Sequence, residues 1–358
     1  MMSGISQNSG ATPKTTDWIG HTLRLVGWNL LLARWRLMSK ILVTLLLVGL
    51  LLLIGGLLLT YVLVNNTGTA QPTACPPTSV SASQPGDTGP GSSGQPCISS
   101  PQQDQQAQQA QEAFADLERA FLTFPTVLIP VGGYTAFLGV ILLCILAGSL
   151  IGSEYSFGTQ RLALSRGVSR AQLLAAQIGA LAILALAVTA GMFILGALIG
   201  LTLGPLLGGS IPNIPPTGWL ELLGFWLVVS LHLFAYALIA LCLATLGRST
   251  AAGIAGSLGY LLFENIALPI ILLITAALSG SLSTGISTIQ NVFLGPNLSG
   301  LQAGVTQSPL NLGGASSGSS NADLPVIAPT QGLLVSLLYC ALLIGLSYWV
   351  LRKRDVTN

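Results

Sequence analysis

The sequence predicts an all-α polytopic membrane protein with six transmembrane helices. Hydrophobic residues make up 51% of its 358 residues and charged residues only 7%, whereas soluble domains carry about 25% charged residues. The mean hydropathy is +0.75. Six apolar runs are long enough to cross about 30 Å of hydrocarbon as helices. These predicted spans 1 to 6 are residues 41–64, 126–151, 172–203, 218–246, 250–278 and 332–351.

Two prolines and several glycines bear on the shape of the spans. Pro205 bounds span 3, and Pro269 lies inside span 5, where it predicts a kink because proline donates no backbone hydrogen bond. Small residues such as Gly148 and Gly253 allow neighbouring spans to approach closely. Packing within one chain is the favoured interpretation of these residues, and a dimer seam is the alternative. Residues 41–64 are too long and begin too late for a signal peptide, so they are interpreted as a retained span.

The basic residues predict the orientation of the chain. With six spans, all of the 13 lysines and arginines except Arg119 fall on one side. Because basic residues concentrate in cytoplasmic loops, both termini and the tail at 352–358 are predicted to be cytoplasmic. The chain is therefore predicted to be a multi-pass protein of the lipid bilayer, in a prokaryotic plasma membrane. Topology accounts for the basic residues, and no nucleic-acid-binding pattern accompanies them.

Residues 1–40 divide into a disordered start and a helix that lies in the membrane interface. Residues 1–14 are rich in serine, glycine and asparagine. From residue 17 to 38, tryptophans interleave with arginines, as is typical of an interfacial helix; they are Trp18, Trp28 and Trp35 with Arg24, Arg34 and Arg36. The alternative, a basic flank that only orients span 1, is compatible with this helix.

Two long loops are predicted to face outward, at residues 65–125 and 279–331. The first is rich in proline, glycine and serine up to residue 103, which favours irregular structure. Apolar residues then recur at steps of three and four over residues 104–124, which predicts an amphipathic helix. The second loop contains an apolar part, residues 284–301, that could dip into the interface.

Five cysteines fall into two groups. Cys75 and Cys97 lie in the first outward loop, where a disulfide can form; two free thiols are the alternative. Cys144, Cys242 and Cys340 lie in spans without histidine or carboxylate at ligand spacing, so they are interpreted as packing residues and no metal site is predicted.

The segment 152–171 between spans 2 and 3 concentrates charge in a nearly uncharged chain. A charged loop cannot lie in lipid, so it must face water or a protein partner. Gly158-Thr159 permits a sharp turn, and the threonine can cap a short helix through 160–165. Seven residues define the pattern: Glu154, Tyr155, Gly158, Thr159, Arg161, Arg166 and Arg170.

In this pattern the segment resembles the cytoplasmic loop of ABC-2-type transporter permeases. The resemblance is strong over this segment and weak over the spans. It implies that the segment is a coupling helix, which docks on an ATP-binding subunit and passes its motion to the spans, and that residues 17–38 are an elbow helix. Two departures are Gly167, where proline is commoner, and Gln177, where a lysine often follows. An ordinary positive-inside loop is the alternative, but charge alone does not require the order Glu-x-x-x-Gly-Thr.

The resemblance also implies the partners. They are two copies of an ATP-binding subunit, which bind ATP and Mg²⁺, and a second permease copy or a paralogue. The chain has three lysines, and none lies in Gly-x-x-x-x-Gly-Lys-[Ser/Thr]. It is therefore expected to be no enzyme by itself and to hold no cofactor, since a phosphate-binding loop is missing.

Three ionisable residues stand out in the spans. Glu264 lies near the middle of span 5, where a lone carboxylate costs about 2.5–3.5 kcal/mol on insertion scales. His232 lies near the middle of span 4, and Glu221 lies near its outer end. They are candidates for a transport pathway, including a Glu264–His232 contact. Hydrogen bonds that tie two helices together are an equally favoured interpretation.

The function expected from the resemblance is that of the permease subunit of an ATP-driven ABC transporter, with export as the direction. The alternative is an ATP-independent channel or proton-coupled carrier that uses Glu264 and His232. Neither the inverted repeats nor the abundant intramembrane charge that would favour a carrier is present in the sequence. A membrane anchor or sensor is a third class, but the composition of loop 65–125 does not favour a compact outer domain.

Overall fold

The computed structural model describes residues 20, 22–28, 31, 37–67, 121–156, 169–207, 215–267, 269–270, 274, 291–306 and 328–353. Over these residues all regular secondary structure is helical. The labelled segments are α1 (Leu37–Thr67), α2 (Leu128–Tyr134, then a π-helical turn Thr135–Gly139, then Val140–Ser156), α3 (Arg170–Leu206), α4 (Pro216–Gly247), α5 (Thr250–Leu262, then a π-helical turn Phe263–Ala267), α6 (Leu294–Thr306) and α7 (Pro329–Lys353).

Within the described part of the chain, five helices are long and apolar enough to cross a membrane. They are α1, α2, α3, α4 and α7, and they overlap predicted spans 1, 2, 3, 4 and 6. The all-α membrane fold is therefore confirmed. Predicted span 5 is helical as far as Ala267, but Leu268 and most of residues 271–278 lie outside the described residues. The count of six spans stays a prediction.

The predicted elbow helix is described only in part. Residues 22–28 are helical. Val26 is buried against Ala176 and Ala180 of α3, while Trp28 is exposed on the other side of the segment. An apolar anchor on the bundle combined with an exposed tryptophan suits a helix lying along a membrane surface. The interfacial position itself remains a prediction, and the amphipathic helix predicted at 104–124 lies almost wholly outside the described residues.

Helix α4 is at the centre of the bundle. It packs against α2, α3, α5, α6 and α7. Its buried side chains include Phe225, Val229, Leu233 and Tyr236, which follow one another at steps of three and four and so lie on one face. A helix with neighbours on several sides must be apolar nearly all round, and this explains the weak amphipathic pattern of predicted span 4.

Glycines allow α5 to lie directly against α2 and α4. A Cβ atom added at Gly253 would lie 2.8 Å from Ala244 Cβ and 3.0 Å from Gly148 Cα. At the end of α2, Gly152 lies against the backbone of Thr250, the first residue of α5. Close approach of helix backbones at small residues is the means by which helices associate in lipid. The packing of Gly148 and Gly253 within one chain is thus confirmed.

Helix α6 lies antiparallel to the first half of α7 and begins deep in the bundle. Gly304, near its end, lies beside Pro329 at the start of α7. Just before its start, the carbonyl of Val292 accepts a 2.8 Å hydrogen bond from the Tyr339 hydroxyl. Tyr339 lies about 15 Å along α7 from Pro329, which is half of a hydrocarbon layer of about 30 Å. Helix α6 therefore starts beside the middle of α7 and ends beside its start, and the dip of residues 284–301 into the interface stays a prediction.

Substitution of Gly253 is expected to test the close packing of α2, α4 and α5. Gly253→Ala should lower the free energy of unfolding by about 1–3 kcal/mol, because the added methyl meets neighbouring helices that cannot move aside. Gly259→Ala is the matched control on the same helix, since a Cβ there meets nothing within 4 Å. Thermal unfolding in detergent measures both. Equal midpoints for the two variants would contradict the packing argument.

Candidate functional site

Glu264 is the centre of a hydrogen-bonded cluster inside the bundle. Its side chain is 5% exposed. One carboxylate oxygen, Oε2, accepts a hydrogen bond from the Tyr236 hydroxyl at 2.5 Å. The other, Oε1, accepts from the Tyr260 hydroxyl at 3.0 Å and from the backbone N–H of Gly295 at 2.8 Å. All three partners donate, so the carboxylate acts as an acceptor in each contact.

The cluster joins three helices at one depth. Tyr236 belongs to α4, Tyr260 and Glu264 to α5, and Gly295 to α6. Tyr260 and Glu264 are four residues apart, which places them on one face of α5. Tyr236 lies about 16 Å along α4 from its end at Gly247, near the middle of a hydrocarbon layer of about 30 Å. The contacts of Glu264 with Tyr236 and Gly295 therefore link α5 to α4 and to α6, while its contact with Tyr260 lies within α5.

Gly295 brings the start of α6 onto the carboxylate. A Cβ atom at this position would lie 3.1 Å from Glu264 Oε2 and 3.1 Å from the Tyr236 hydroxyl oxygen. Only glycine lets the backbone N–H approach so closely without crowding. The first N–H groups of a helix have no partner within the helix, and its N-terminus carries a partial positive charge. Glu264 thus caps α6 from another helix.

His232 joins the cluster through Tyr236. The two rings are stacked, with centroids 5.3 Å apart and an interplanar angle of 17°. They are four residues apart on α4, one turn of the helix. The imidazole is buried, and its Nδ1 has no hydrogen-bond partner among the described residues. The structure therefore brings the predicted pair, His232 and Glu264, into one cluster with Tyr236 between them.

Glu221 is not part of this cluster. It lies in the first turns of α4 and is half-buried. About 22 Å of helix separates it from Tyr236. No residue of the Glu264 cluster lies beside Glu221, so its assignment to a transport pathway stays a prediction.

Sequence reasoning missed Tyr236, Tyr260 and Gly295. The signal for Tyr260 was its spacing of four from Glu264, and for Tyr236 its spacing of four from His232. Gly295 carried no such signal, because its contact spans 31 residues of chain and depends on how α6 returns into the bundle.

The flanks of the cytoplasmic segment are fixed by hydrogen bonds to other helices. At the end of α2, Glu154 accepts a 2.5 Å hydrogen bond from the side chain of Gln177 on α3. At the start of α3, Arg170 donates a 2.9 Å hydrogen bond to the carbonyl of Leu351 on α7. These contacts attach the two ends of the segment to α3 and α7. Tyr155, the next residue of the pattern, is half-buried against the core.

A capping box starts α3 immediately after the segment. The Ser169 hydroxyl accepts from the backbone N–H of Gln172 at 3.2 Å, and the Gln172 side chain accepts from the Ser169 N–H at 3.0 Å. Such reciprocal capping satisfies two free N–H groups and fixes where the helix begins. The short helix predicted at 160–165 lies outside the described residues, as do Gly158, Thr159, Arg161 and Arg166.

The structure describes three of the five cysteines. Cys144, Cys242 and Cys340 are buried free thiols in the helices, as the packing interpretation requires. The Cys144 thiol donates to the carbonyl of Tyr236, so it packs beside the carboxylate cluster. Cys75 and Cys97 lie outside the described residues, and their disulfide stays a prediction.

Comparison with known proteins identifies one family. The family model described as ABC-2 family transporter protein matches residues 34–356. This range includes α1 to α7, the cytoplasmic segment and the Glu264 cluster. A search of curated protein sequences found no match.

A double-mutant cycle is expected to show that Tyr236 and Glu264 stabilise each other. Tyr236→Phe should lower the free energy of unfolding by about 1.5–3 kcal/mol, the usual contribution of a hydrogen bond to a charged group. In a Glu264→Ala background the same substitution should cost much less, because position 264 then has no polar side chain to meet the Tyr236 hydroxyl. Chemical unfolding in detergent measures the cycle. Tyr348→Phe, at an exposed tyrosine of α7, is the control. Additive effects of the two substitutions would contradict the contact.

Proposed function

The chain belongs to the ABC-2 family of transporter proteins, and on that premise we propose that it is the permease subunit of an ATP-driven exporter. The observation that carries this proposal is the extent of the family match, which covers every membrane-length helix of the described chain. The charged segment 152–171 supports it, since its residue order resembles that of the cytoplasmic loop of ABC-2-type permeases.

ATP is hydrolysed, in this proposal, by a separate nucleotide-binding subunit. The chain has no phosphate-binding loop, so ATP and Mg²⁺ belong to the partner. Two copies of that subunit and a second permease copy or a paralogue complete the assembly. Family membership supports the second permease, because in the pattern of the family one set of six spans makes half of the pathway.

The proposed location is a prokaryotic plasma membrane with both termini in the cytoplasm. The distribution of basic residues supports this orientation. The hydrogen bond from Arg170 to Leu351 is consistent with it, because it joins the end of the cytoplasmic segment to the last turn of α7. The basic residues Arg352 and Lys353 follow in that turn.

A continuous set of contacts between helices supports the transmission of motion from the cytoplasmic segment to the interior of the bundle. At the end of α2, Gly152 lies against Thr250 of α5. Helix α5 then carries Glu264, which holds the start of α6 at Gly295. Motion imposed on segment 152–171 would move α2 and α5 together, since their backbones are in contact. We infer that such rigid-body motion changes the position of α6.

Purification of the tagged chain with its partners tests the proposed partnership. The wild-type chain is expected to co-purify with a P-loop ATPase in mild detergent. Arg161→Glu is expected to weaken this association by about tenfold or more, because a charge reversal in a docking contact adds repulsion to the lost attraction. Lys14→Glu, a charge reversal on the same predicted side but outside the segment, is the control. A chain that purifies without an ATPase under these conditions would overturn the proposal.

Substitution of Glu264 tests transmission to α6. In proteoliposomes that contain the whole assembly, Glu264→Gln is expected to change the rate of ATP hydrolysis severalfold while the ATPase subunit stays bound. The reason is that the amide keeps one accepting oxygen and replaces the other by a donor, so the donors around residue 264 lose one of their two acceptors and the cluster that holds α6 must rearrange. Glu221→Gln is the matched control, at a carboxylate about 22 Å away along α4. Identical rates for the two variants would remove Glu264 from the transmission route.

An ATP-independent channel or proton-coupled carrier is the second candidate. The observation that favours it is the buried His232 beside the Glu264 cluster, with its Nδ1 free of a partner among the described residues. Solute or proton flux through liposomes that contain the purified chain alone, without ATP, would favour this function over the first.

A further inference from the structure

An apolar cavity of about 360 Å³ lies between α1, α2 and α3. Aliphatic side chains from all three helices line it, among them Leu42, Leu143 and Leu184. Ser39, at one end, is the only one of the described lining residues with a polar side chain. A cavity of this composition stays dry, so its natural occupant is apolar.

The cavity exists because α1 is attached to the bundle along a narrow strip. The buried side chains of α1 in the described chain are Leu46, Leu50 and Ile54, and its carbonyl at Leu46 accepts a 3.0 Å hydrogen bond from Tyr134 of α2. On the other side of this strip, Val43 and Leu47 line the cavity and are 50% and 38% exposed. The cavity is therefore open to the surroundings of the bundle, which for a membrane helix are lipid chains.

The length of the cavity fits one leaflet of the bilayer. Its lining on α1 runs from Ser39 to Leu47, about 12 Å along a helix. One leaflet contributes about half of a hydrocarbon layer of about 30 Å. The polar end at Ser39 lies at the start of α1, and the apolar end lies toward the middle of the membrane. A single acyl chain that enters from the leaflet at this end would occupy the cavity along its length.

A positively charged residue stands next in the chain to the polar end of the cavity, outside the lining itself. Lys40 follows Ser39 directly and is exposed. Helix α1 contains no acidic residue that could neutralise it from the same helix. A lysine near the membrane surface attracts anionic lipids, and its flexible stem lets the ammonium group reach the headgroups while the methylenes stay in contact with apolar surface.

We propose that this cavity binds one acyl chain of an anionic phospholipid, whose phosphate lies against Lys40. The lipid would complete the packing of α1 against α2 and α3. This site depends only on the position of the chain in a membrane, so it is independent of the ATP-driven partnership proposed above.

Gly191 of α3 offers a way to fill the cavity without strain. It lines the cavity, and a Cβ added there meets nothing within 4 Å. Gly191→Phe should therefore leave the helices in place and exclude the acyl chain. Gly133→Phe is the matched control, because Gly133 also meets nothing within 4 Å and is no part of the lining. Ala187→Phe, at another lining residue, fills the same space from a position one turn away.

Native mass spectrometry of the full chain, purified with any subunits that stay bound, tests the proposal. The protein is stripped of lipid in detergent and then supplied with dioleoylphosphatidylglycerol or dioleoylphosphatidylcholine. Wild type and Gly133→Phe should retain one phosphatidylglycerol per chain, while Gly191→Phe and Ala187→Phe lose it. Lys40→Gln should lower the preference for phosphatidylglycerol over phosphatidylcholine by about fivefold, the effect of one lysine near an anionic surface.

Three results would overturn the site. They are retention of the lipid by both cavity-filling variants, equal retention of the two lipids by wild type, and loss of lipid in the Gly133→Phe control to the same degree. Thermal unfolding of each variant accompanies the measurement. If Gly191→Phe unfolds early, the comparison uses Ala187→Phe and Lys40→Gln, which change the cavity and its charge separately.

Discussion

In a hydrocarbon layer no water is present to solvate a carboxylate, so protein donors must take the place of water or the side chain cannot be buried there. Glu264 satisfies this requirement with two tyrosine hydroxyls and one backbone N–H, taken from α4, α5 and α6. The chemical demand of one side chain thereby fixes the relative positions of three helices. The position of α6 depends on it most, because the start of that helix also needs an acceptor for its free N–H groups. Glu264 supplies the acceptor that the Gly295 N–H needs, and that N–H is one of the donors that the Glu264 carboxylate needs.

The helices around this cluster differ in how firmly they are attached. Helices α2, α4 and α5 are joined by glycine contacts that leave no room for a side chain, as at Gly253. Helix α1 is attached along a strip of three buried side chains, and beside that strip lies the apolar cavity. A tight group of helices can transmit displacement as a unit, whereas a helix beside an open apolar space depends on what fills it. The tight packing of α2, α4 and α5 suits the proposed transmission of motion from segment 152–171 to α6. The open space beside α1 suits the proposed lipid partner.

The two ends of the cytoplasmic segment are held by side-chain hydrogen bonds, and one of these bonds uses a residue that departs from the family pattern. Gln177 stands where the pattern often has lysine, and in this chain its amide donates to Glu154. Arg170, the last residue of the pattern, donates to a backbone carbonyl of α7. Both residues fix the frame of the segment, which leaves the intervening residues 157–168 as the part proposed to meet the ATPase.

The sequence by itself determined the membrane class, the positions of five helices and the family, because apolar run length and a local residue order are properties of contiguous chain. It also singled out Glu264 and His232, since an ionisable residue in an apolar run is visible without a structure. Only the tertiary structure decided which groups surround Glu264, that α6 starts beside the middle of α7, and that a cavity lies between α1, α2 and α3. These features depend on contacts between residues far apart in the chain, such as Glu264 with Gly295. No local pattern encodes the distance between two helices, which is set by how side chains of all of them fill the space together.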